Sequence, residues 1–145
     1  MKPSLLELLG GIETLRTVHK SFYDKIYVHP WLKLFFEGHD QQSIEDRQTS
    51  FMARKMGGDV TYYGKEPKMA HRAMFITDEI FDLRQSLLAQ SLIEVNVPDD
   101  LAERWLKIDS AFRKSIVKNS IESFYSTSWQ YKQRIIIPKS YAGNK

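Results

Sequence analysis

Apolar residues that recur every three or four positions are the feature that most constrains how this chain can fold. Such spacing places apolar side chains on one face of an α-helix. It runs through four long segments of the 145-residue chain, at 12–26, 44–55, 80–95 and 101–116, and Ile121 is a candidate extension of the last. The alternation typical of a half-buried strand is nearly absent. The sequence therefore predicts an all-α domain of about five to six helices.

Helix-breaking and capping residues predict where these helices begin and end. Pro30 disfavours a helical conformation at His29, so the first long helix ends there. Asp40 or Ser43 is a candidate cap of the second helix, which Gly57–Gly58 stops. The predicted starts of the later helices are Pro67, Thr77 and Pro98.

The composition excludes several classes of chemistry. With 42% hydrophobic and 27% charged residues, the chain has the makeup of a globular protein. It contains no cysteine, which removes disulfides, thiolate nucleophiles, iron–sulfur clusters and cysteine zinc sites. No HExxH pair, glycine-rich phosphate loop or supported serine–histidine–acid set occurs. Metal chemistry must therefore use carboxylates or the four histidines His19, His29, His39 and His71.

Hydropathy and charge limit the expected partners. No window approaches the roughly 20 apolar residues of a membrane-spanning helix, and the apolar run near the N-terminus is too short for a signal peptide. We therefore expect no membrane span and a cytoplasmic location. Nucleic acid is not an expected partner, because the basic residues are scattered and the last long helix has no concentrated arginine face.

The C-terminal end differs in charge from the rest of the chain. From Ser126 onward it carries four basic residues and no acidic one. We therefore divide the chain into a domain at 1–125 and a basic C-terminal extension at 126–145. A solvated tail is the simpler interpretation, and contact with phosphates or anionic lipid is the alternative. The apolar triplet in RIIIPKS near the end is either an extended arm on the body or an exposed segment for a partner.

Two polar residues fall where the helical lines predict the interior. Tyr23 follows Phe22 on the first long helix, and Gln48 lies between Ile44 and Phe51 on the second. Leaving a buried phenol or amide unpaired costs roughly 1–3 kcal/mol. Either they pair with each other or with backbone, or they point donors at a ligand in an apolar pocket. His71 would then face that pocket, although a lone histidine is more often an ordinary core or surface residue.

An ordered set of residues resembles a known family. The set is Gly10–Gly11, Phe22-Tyr23, Phe35-Phe36, Gln48, Phe51-Met52, Gly57–Gly58, Tyr62-Tyr63-Gly64, the KMAH segment ending at His71, Ile76-Thr77 and Phe81. In this order the chain resembles the truncated haemoglobins, in their group I branch, from roughly Leu9 to Lys118. The resemblance implies a globin-like, two-over-two helical sandwich that holds haem b.

The resemblance also assigns a role to individual residues. His71 matches the proximal histidine that binds the haem iron, and Phe36 matches the phenylalanine that packs on the haem face. Tyr23 matches the distal tyrosine that hydrogen-bonds the bound oxygen. Gln48 matches a distal glutamine that completes this network, so Tyr23 and Gln48 are the candidate catalytic residues. The other expected haem-contacting residues are Ile44, Arg47, Phe51, Met52, Tyr62, Lys68, Ile76 and Phe81.

The side chains along the second long helix refine the expected pocket. Ile44 matches the position of the distal histidine in longer globins. Arg47 is preferred to Lys55 as the partner of a haem propionate, because it is adjacent to Gln48. With Ile44 and Arg47 at the matching positions, coordination of the iron by a second histidine such as His39 is not expected. The sixth coordination position is then open or approached by Tyr23.

Arg84 departs from the family pattern, which usually has an apolar residue at this position. It lies on the inward line of its helix, and a buried guanidinium requires a partner. Asp109, between Trp105 and Phe112 on the following helix, is the predicted partner. A role for Arg84 in the pocket or at a propionate is the alternative.

The resemblance implies a gas-binding function. The expected ligands are dioxygen, nitric oxide and carbon monoxide, and the distal donors predict slow oxygen release. Nitric oxide dioxygenation with a reductase partner is a further candidate activity. The alternative is a haem-based gas sensor or an electron-transfer or interaction module whose basic tail docks a partner. The expected assembly is a monomer or weak dimer.

Overall fold

The computed structural model describes residues 2–59, 62, 71, 73–118, 120–128 and 135–137. Its helices are α1 (Leu5–Leu9), α2 (Ile12–Ile26), a 3₁₀ helix (Leu32–Phe36), α3 (Gln41–Lys55), α4 (Asp78–Glu94), α5 (Asp99–Ser110), α6 (Arg113–Ile116) and α7 (Ile121–Ser128). Within the described residues, the extended pairing is limited to an isolated bridge. The predicted all-α class is therefore confirmed.

Helix α2 begins after a break made by two glycines. Gly10 and Gly11 have φ angles of 103° and 91°, in the left-handed region that glycine adopts at little cost. The apolar side chains of Leu15, Val18 and Phe22 are buried, as the three- and four-residue spacing predicts. This buried face fixes how α2 packs against its neighbours.

The predicted caps of α3 and α4 are confirmed by hydrogen bonds. The Asp40 carboxylate accepts a hydrogen bond from the backbone N–H of Ser43 at 2.9 Å. Of the two candidates, Asp40 is therefore the residue that caps α3. The Thr77 hydroxyl accepts the backbone N–H of Ile80 at 3.2 Å and begins α4. Each bond satisfies an N–H group that has no partner within its own helix.

The last predicted helix is interrupted. The sequence pattern predicts one helix over 101–116, whereas α5 ends at Ser110 and α6 begins at Arg113. The Phe112 N–H donates to the Asp109 carbonyl at 3.2 Å, a three-residue step in place of the four-residue α-helical one. Ile121 does not extend this helix, because Val117 is extended and Ile121 begins α7. The predicted boundary between 125 and 126 falls inside α7.

The long helices form two packed layers. Helix α2 packs against α3 and α4, and α4 packs against α5. The buried core between them contains Trp105, Phe22, Phe81 and Leu88. This arrangement is the two-over-two helical sandwich that the resemblance implies. No helix in the described part of the chain is long and apolar enough to cross a membrane.

Residues 135–137 lie against the body as an extended arm. Ile135 forms a parallel bridge with Met74, and Ile135 and Ile137 pack against the core. Of the two interpretations of RIIIPKS, the structure therefore supports the arm for these three residues. The four basic residues of the tail, Lys132, Arg134, Lys139 and Lys145, lie outside the described residues.

Candidate functional site

A cavity of about 260 Å³ opens between the two helical layers. This volume is near the low end of the range for small-molecule and cofactor pockets, roughly 300–1,000 Å³. Side chains from α2, the 3₁₀ helix, α3, α4, α5 and α6 and from the segment that begins at His71 line it. Its predicted lining residues are Tyr23, Phe36, Ile44, Arg47, Gln48, Phe51, Met52, Tyr62, His71, Ile76 and Phe81. Lys68, the remaining predicted site residue, lies outside the described residues.

Tyr23 and Gln48 present polar groups to this cavity. Tyr23 is only 5% exposed, and burial raises the pKa of its hydroxyl well above the usual range. Among the described residues, neither the Tyr23 hydroxyl nor the Gln48 amide makes a hydrogen bond to a protein group. Two buried or half-buried donors on an apolar wall are typical of a ligand site. The geometry therefore favours the ligand-facing interpretation over mutual or backbone pairing.

Aromatic rings surround Tyr23. The Phe22 ring is 4.8 Å from the Tyr23 ring and the Phe36 ring is 6.0 Å away, both in edge-on arrangements. Tyr27, one turn further along α2, packs against Phe36, and its hydroxyl donates to the His39 carbonyl at 3.0 Å. These contacts hold the Tyr23 ring in place.

His71 lies in a turn on the cavity wall. The helix predicted to begin at Pro67 falls outside the described residues. The His71 carbonyl accepts the Met74 N–H at 3.1 Å and the Lys118 ammonium at 2.5 Å. Burial lowers the pKa of Lys118 to about 8. The His71 backbone is therefore bonded to Lys118, two residues after the end of α6.

Arg84 and Asp109 form the predicted pair. The Arg84 Nη1 and Nη2 atoms donate to the two Asp109 carboxylate oxygens, both at 2.8 Å. The Arg84 side chain is 25% exposed and the Asp109 side chain 5%. Both residues also line the cavity, so the pair contributes to the wall. The guanidinium lies 5.4 Å from the Phe22 ring and 5.5 Å from the Phe81 ring.

The remaining histidines have separate environments. His39 lines the cavity, whereas His19 is buried behind it and hydrogen-bonds Thr49 at 2.8 Å. Burial and the nearby Arg84 charge lower the pKa of His19 to about 3, which outweighs the opposite effect of Asp109. His29, expected at the surface, is half-buried, and its Nδ1 accepts two backbone N–H groups at the start of the 3₁₀ helix.

Several lining residues are not predicted from the sequence. They are Phe22, Ile26, Leu32, Phe35, Met74, Ile80, Phe112 and Ile116. Most lie on apolar lines already assigned to the core, and periodicity alone does not distinguish a cavity wall from a filled core. The apolar WLKLFF cluster at 31–36 is the one sequence feature that could have indicated further lining residues, since Leu32 and Phe35 line the cavity as well as Phe36.

The lining fits a prosthetic group better than a protein-only metal site. In the described residues, no three or more His, Cys, Asp or Glu side chains converge to hold an ion. A metal ligated by His71 would therefore need its other ligands from an organic group. An apolar cavity lined by His71 and by the polar groups of Tyr23 and Gln48 has the chemistry that the expected haem requires.

Comparison with known proteins gives consistent matches. The family described as bacterial-like globin matches residues 4–118. A group 1 truncated haemoglobin from Mycolicibacterium paratuberculosis is 31% identical over 97 residues, 67% of this chain and 71% of the relative. A group 1 truncated haemoglobin from Chlamydomonas moewusii is 31% identical over 69% of this chain, which spans 60% of that longer relative.

A solved structure supports the same fold. The Fe(III) form of truncated haemoglobin from Tetrahymena pyriformis is similar with a TM-score of 0.75 and 28% identity. The similarity covers 81% of this chain and 100% of that one. The family match includes every predicted residue of the cavity and ends before residues 119–145.

Proposed function

Because this chain belongs to the truncated haemoglobins, within the bacterial-like globin family whose cofactor is haem iron, we propose that it reversibly binds dioxygen at a haem held by His71. Nitric oxide and carbon monoxide are the other proposed ligands. The observation that carries the proposal is a single apolar cavity lined by His71, Tyr23 and Gln48. When bound, haem supplies the iron at which diatomic gases coordinate reversibly.

The chain's own residues have distinct proposed roles around the group. His71 would ligate the iron, and the Phe36, Phe51 and Phe81 side chains would contact the apolar macrocycle. Arg47 is exposed at the cavity and would pair with a propionate. Lys55, the less favoured candidate, contacts the Phe51 and Phe112 rings instead. The presence of His71, Arg47 and the three phenylalanines in the cavity wall supports these proposed roles.

Tyr23 and Gln48 would slow the release of oxygen. A gas ligand that acquires negative charge is stabilised by hydrogen-bond donors in a site of low dielectric constant. The Tyr23 hydroxyl is a donor at neutral pH, because the ordinary pKa of tyrosine is 10.0 and burial raises the pKa of Tyr23 further. Neither donor must first break a protein hydrogen bond among the described residues. The two groups are therefore available to the ligand without a competing partner.

Replacement of Tyr23 by phenylalanine tests this role. We expect Tyr23→Phe to raise the oxygen dissociation rate about tenfold to a hundredfold, since a hydrogen bond to a charged group contributes roughly 1.5–3 kcal/mol. Stopped-flow displacement of oxygen by carbon monoxide measures the rate. Tyr27→Phe is the matched control, because Tyr27 is on the same helix and its hydroxyl bonds the His39 carbonyl. An unchanged rate in Tyr23→Phe would contradict the role.

Nitric oxide dioxygenation is a second candidate activity. The reaction joins one nitric oxide and both atoms of dioxygen into nitrate, and it consumes one electron from an external reductase. Two donors that retain oxygen support one of its requirements. We expect the oxygen-loaded protein to consume nitric oxide faster than free haem does, measured by stopped-flow absorbance. A rate no greater than that of free haem would exclude the activity.

The alternative, a sensor or electron-transfer module with a docking tail, rests on the basic residues of the extension. Those charges lie outside the described residues, so the cavity supports oxygen binding more directly. A cytoplasmic location, a reductase partner and a monomeric or weakly dimeric state stay predictions of the sequence.

A further inference from the structure

Residues beyond the family match contact the segment that carries His71. The match ends at residue 118, yet Phe124 packs on Phe75 and Ile135 forms a bridge with Met74. We call residues 135–137 the C-terminal strap. A tail that is surrounded by solvent, or that serves only to dock a partner, would not be expected to make these contacts.

Backbone hydrogen bonds join the strap to the stretch from His71 to Ile76, which we call the His71 segment. The Ile135 N–H donates to the Ala73 carbonyl at 2.7 Å, and the Phe75 N–H donates to the Ile135 carbonyl at 2.8 Å. The Trp31 indole N–H donates to the Ile137 carbonyl at 2.7 Å. The strap is thereby fixed at both ends, to the His71 segment and to the start of the 3₁₀ helix.

Lys118 and Phe124 also contact the same segment. The Lys118 N–H donates to the Ile76 carbonyl at 2.8 Å, and the Lys118 ammonium bonds the His71 carbonyl. Phe124 is 0% exposed, and its ring lies 5.6 Å from the Phe75 ring. Because burial of an aromatic ring is favourable, this contact stabilises the position of Phe75.

The His71 segment has little regular structure of its own. His71 and Ala73 are in turns, Met74 is in the bridge, and α4 begins only at Asp78. Within the described part of this segment, the backbone bond that stays local is the one from Met74 to His71. Among the described residues, the other backbone bonds of this stretch are made to Ile135 and Lys118, so its position depends on groups outside it.

We propose that the C-terminal strap is a positioning element for His71, which sets how firmly the histidine ligates iron and how long the protein retains haem. The proposal rests on the proposed function in one respect, that His71 is the iron ligand. Ile135 acts through the backbone of Ala73 and Phe75 and touches neither haem nor gas. Residues 135–137 of the extension are then part of the domain and not of a separate docking tail.

A proline scan of the strap in the full-length, haem-loaded protein tests the proposal. Ile135→Pro removes the N–H that donates to Ala73. Ile136→Pro is the matched control, because the Ile136 N–H makes no hydrogen bond among the described residues and a proline there favours the extended conformation that Ile135 already has. Three measurements compare the variants: amide hydrogen exchange at 73–77, the iron–histidine stretching band of the ferrous protein, and the rate of haem loss to an excess of a haem-scavenging apoprotein.

We expect Ile135→Pro, and not Ile136→Pro, to increase exchange at Phe75 and haem loss each about tenfold, the factor that loss of one or two hydrogen bonds produces. The iron–histidine band should shift or broaden in Ile135→Pro alone. Equal effects of the two prolines, or no effect of either, would overturn the proposal.

His71→Ala separates this proposal from the proposed function. Loss of the iron–histidine band in His71→Ala with no change in Ile135→Pro would overturn the strap and leave the ligand assignment intact. An unchanged band in His71→Ala would instead overturn the ligand assignment, and with it the link from strap to iron. Faster exchange at Phe75 in Ile135→Pro supports the contact itself in either case.

Discussion

At the scale of single residues, Arg84 and Asp109 show how a charged pair is accommodated in an apolar core. Both guanidinium nitrogens reach the two carboxylate oxygens at 2.8 Å, and Gln85 donates a further bond to Asp109 at 3.3 Å. Removal of one partner from such a pair leaves a buried charge without compensation. Each partner therefore compensates the charge of the other, and the pair also forms part of the cavity wall.

Replacement of Arg84 should destabilise the fold more than it weakens haem binding. We expect Arg84→Leu to lower the free energy of unfolding by about 3–5 kcal/mol, measured by urea titration. The double variant Arg84→Leu with Asp109→Leu should recover much of this loss, because it leaves no unpaired charge. Arg104→Leu is the control, since Arg104 is an exposed arginine on α5. A normal stability with a large loss of haem affinity would favour the alternative role of Arg84 at a propionate.

At the scale of helices, His19 couples α2 to α3 in a pH-dependent manner. Its bond to Thr49 joins the two helices inside the core, and its pKa falls to about 3 there. The ordinary pKa of histidine is 6.5. Between these values the unfolded chain binds a proton that the folded protein does not, so stability falls as the pH falls from 6.5 toward 3. Above pH 6.5 the effect is absent.

His19→Asn should remove this contribution, because asparagine keeps a hydrogen-bonding group near Thr49 and does not titrate. We expect the free energy of unfolding of the original protein to fall with decreasing pH more steeply than that of the variant, by at most about 1.4 kcal/mol per pH unit. Urea titrations between pH 6.5 and 5 measure the difference, since most carboxylates titrate below this range. Parallel pH dependences in the two proteins would show that folding does not lower the pKa of His19.

The structural elements that can be predicted from the sequence are those that depend on interactions between residues close together in the chain. Asp40 and Thr77 cap helices through bonds to residues three positions ahead, and such bonds follow from the sequence itself. The bridge of Ile135 to the His71 segment is different, because its partner is more than sixty positions away and has no regular pattern. The break between α5 and α6 at Phe112 likewise could not be predicted, because no proline or glycine lies there.

At the scale of the whole molecule, the candidate site can be predicted only in outline. Resemblance predicts part of the lining and misses residues such as Phe22 and Phe35, and the volume itself depends on how α2, α3 and α4 pack together. Arg84 could be matched with Asp109 because both interrupt apolar lines. The contact of Lys118 with His71 could not, since a lysine at the end of a helix has no distinguishing signal.

Removal of haem should destabilise the molecule as a whole, because the cavity lies between both helical layers. A group that binds only the folded state raises its stability, by about 2.7 kcal/mol when the free ligand is at a hundred times its Kd. We therefore expect haem-free protein to melt at a lower temperature than the loaded protein, measured by circular dichroism. The difference should shrink in His71→Ala and stay the same in Arg104→Leu. Equal melting of loaded and haem-free protein would mean that haem does not bind selectively to this fold.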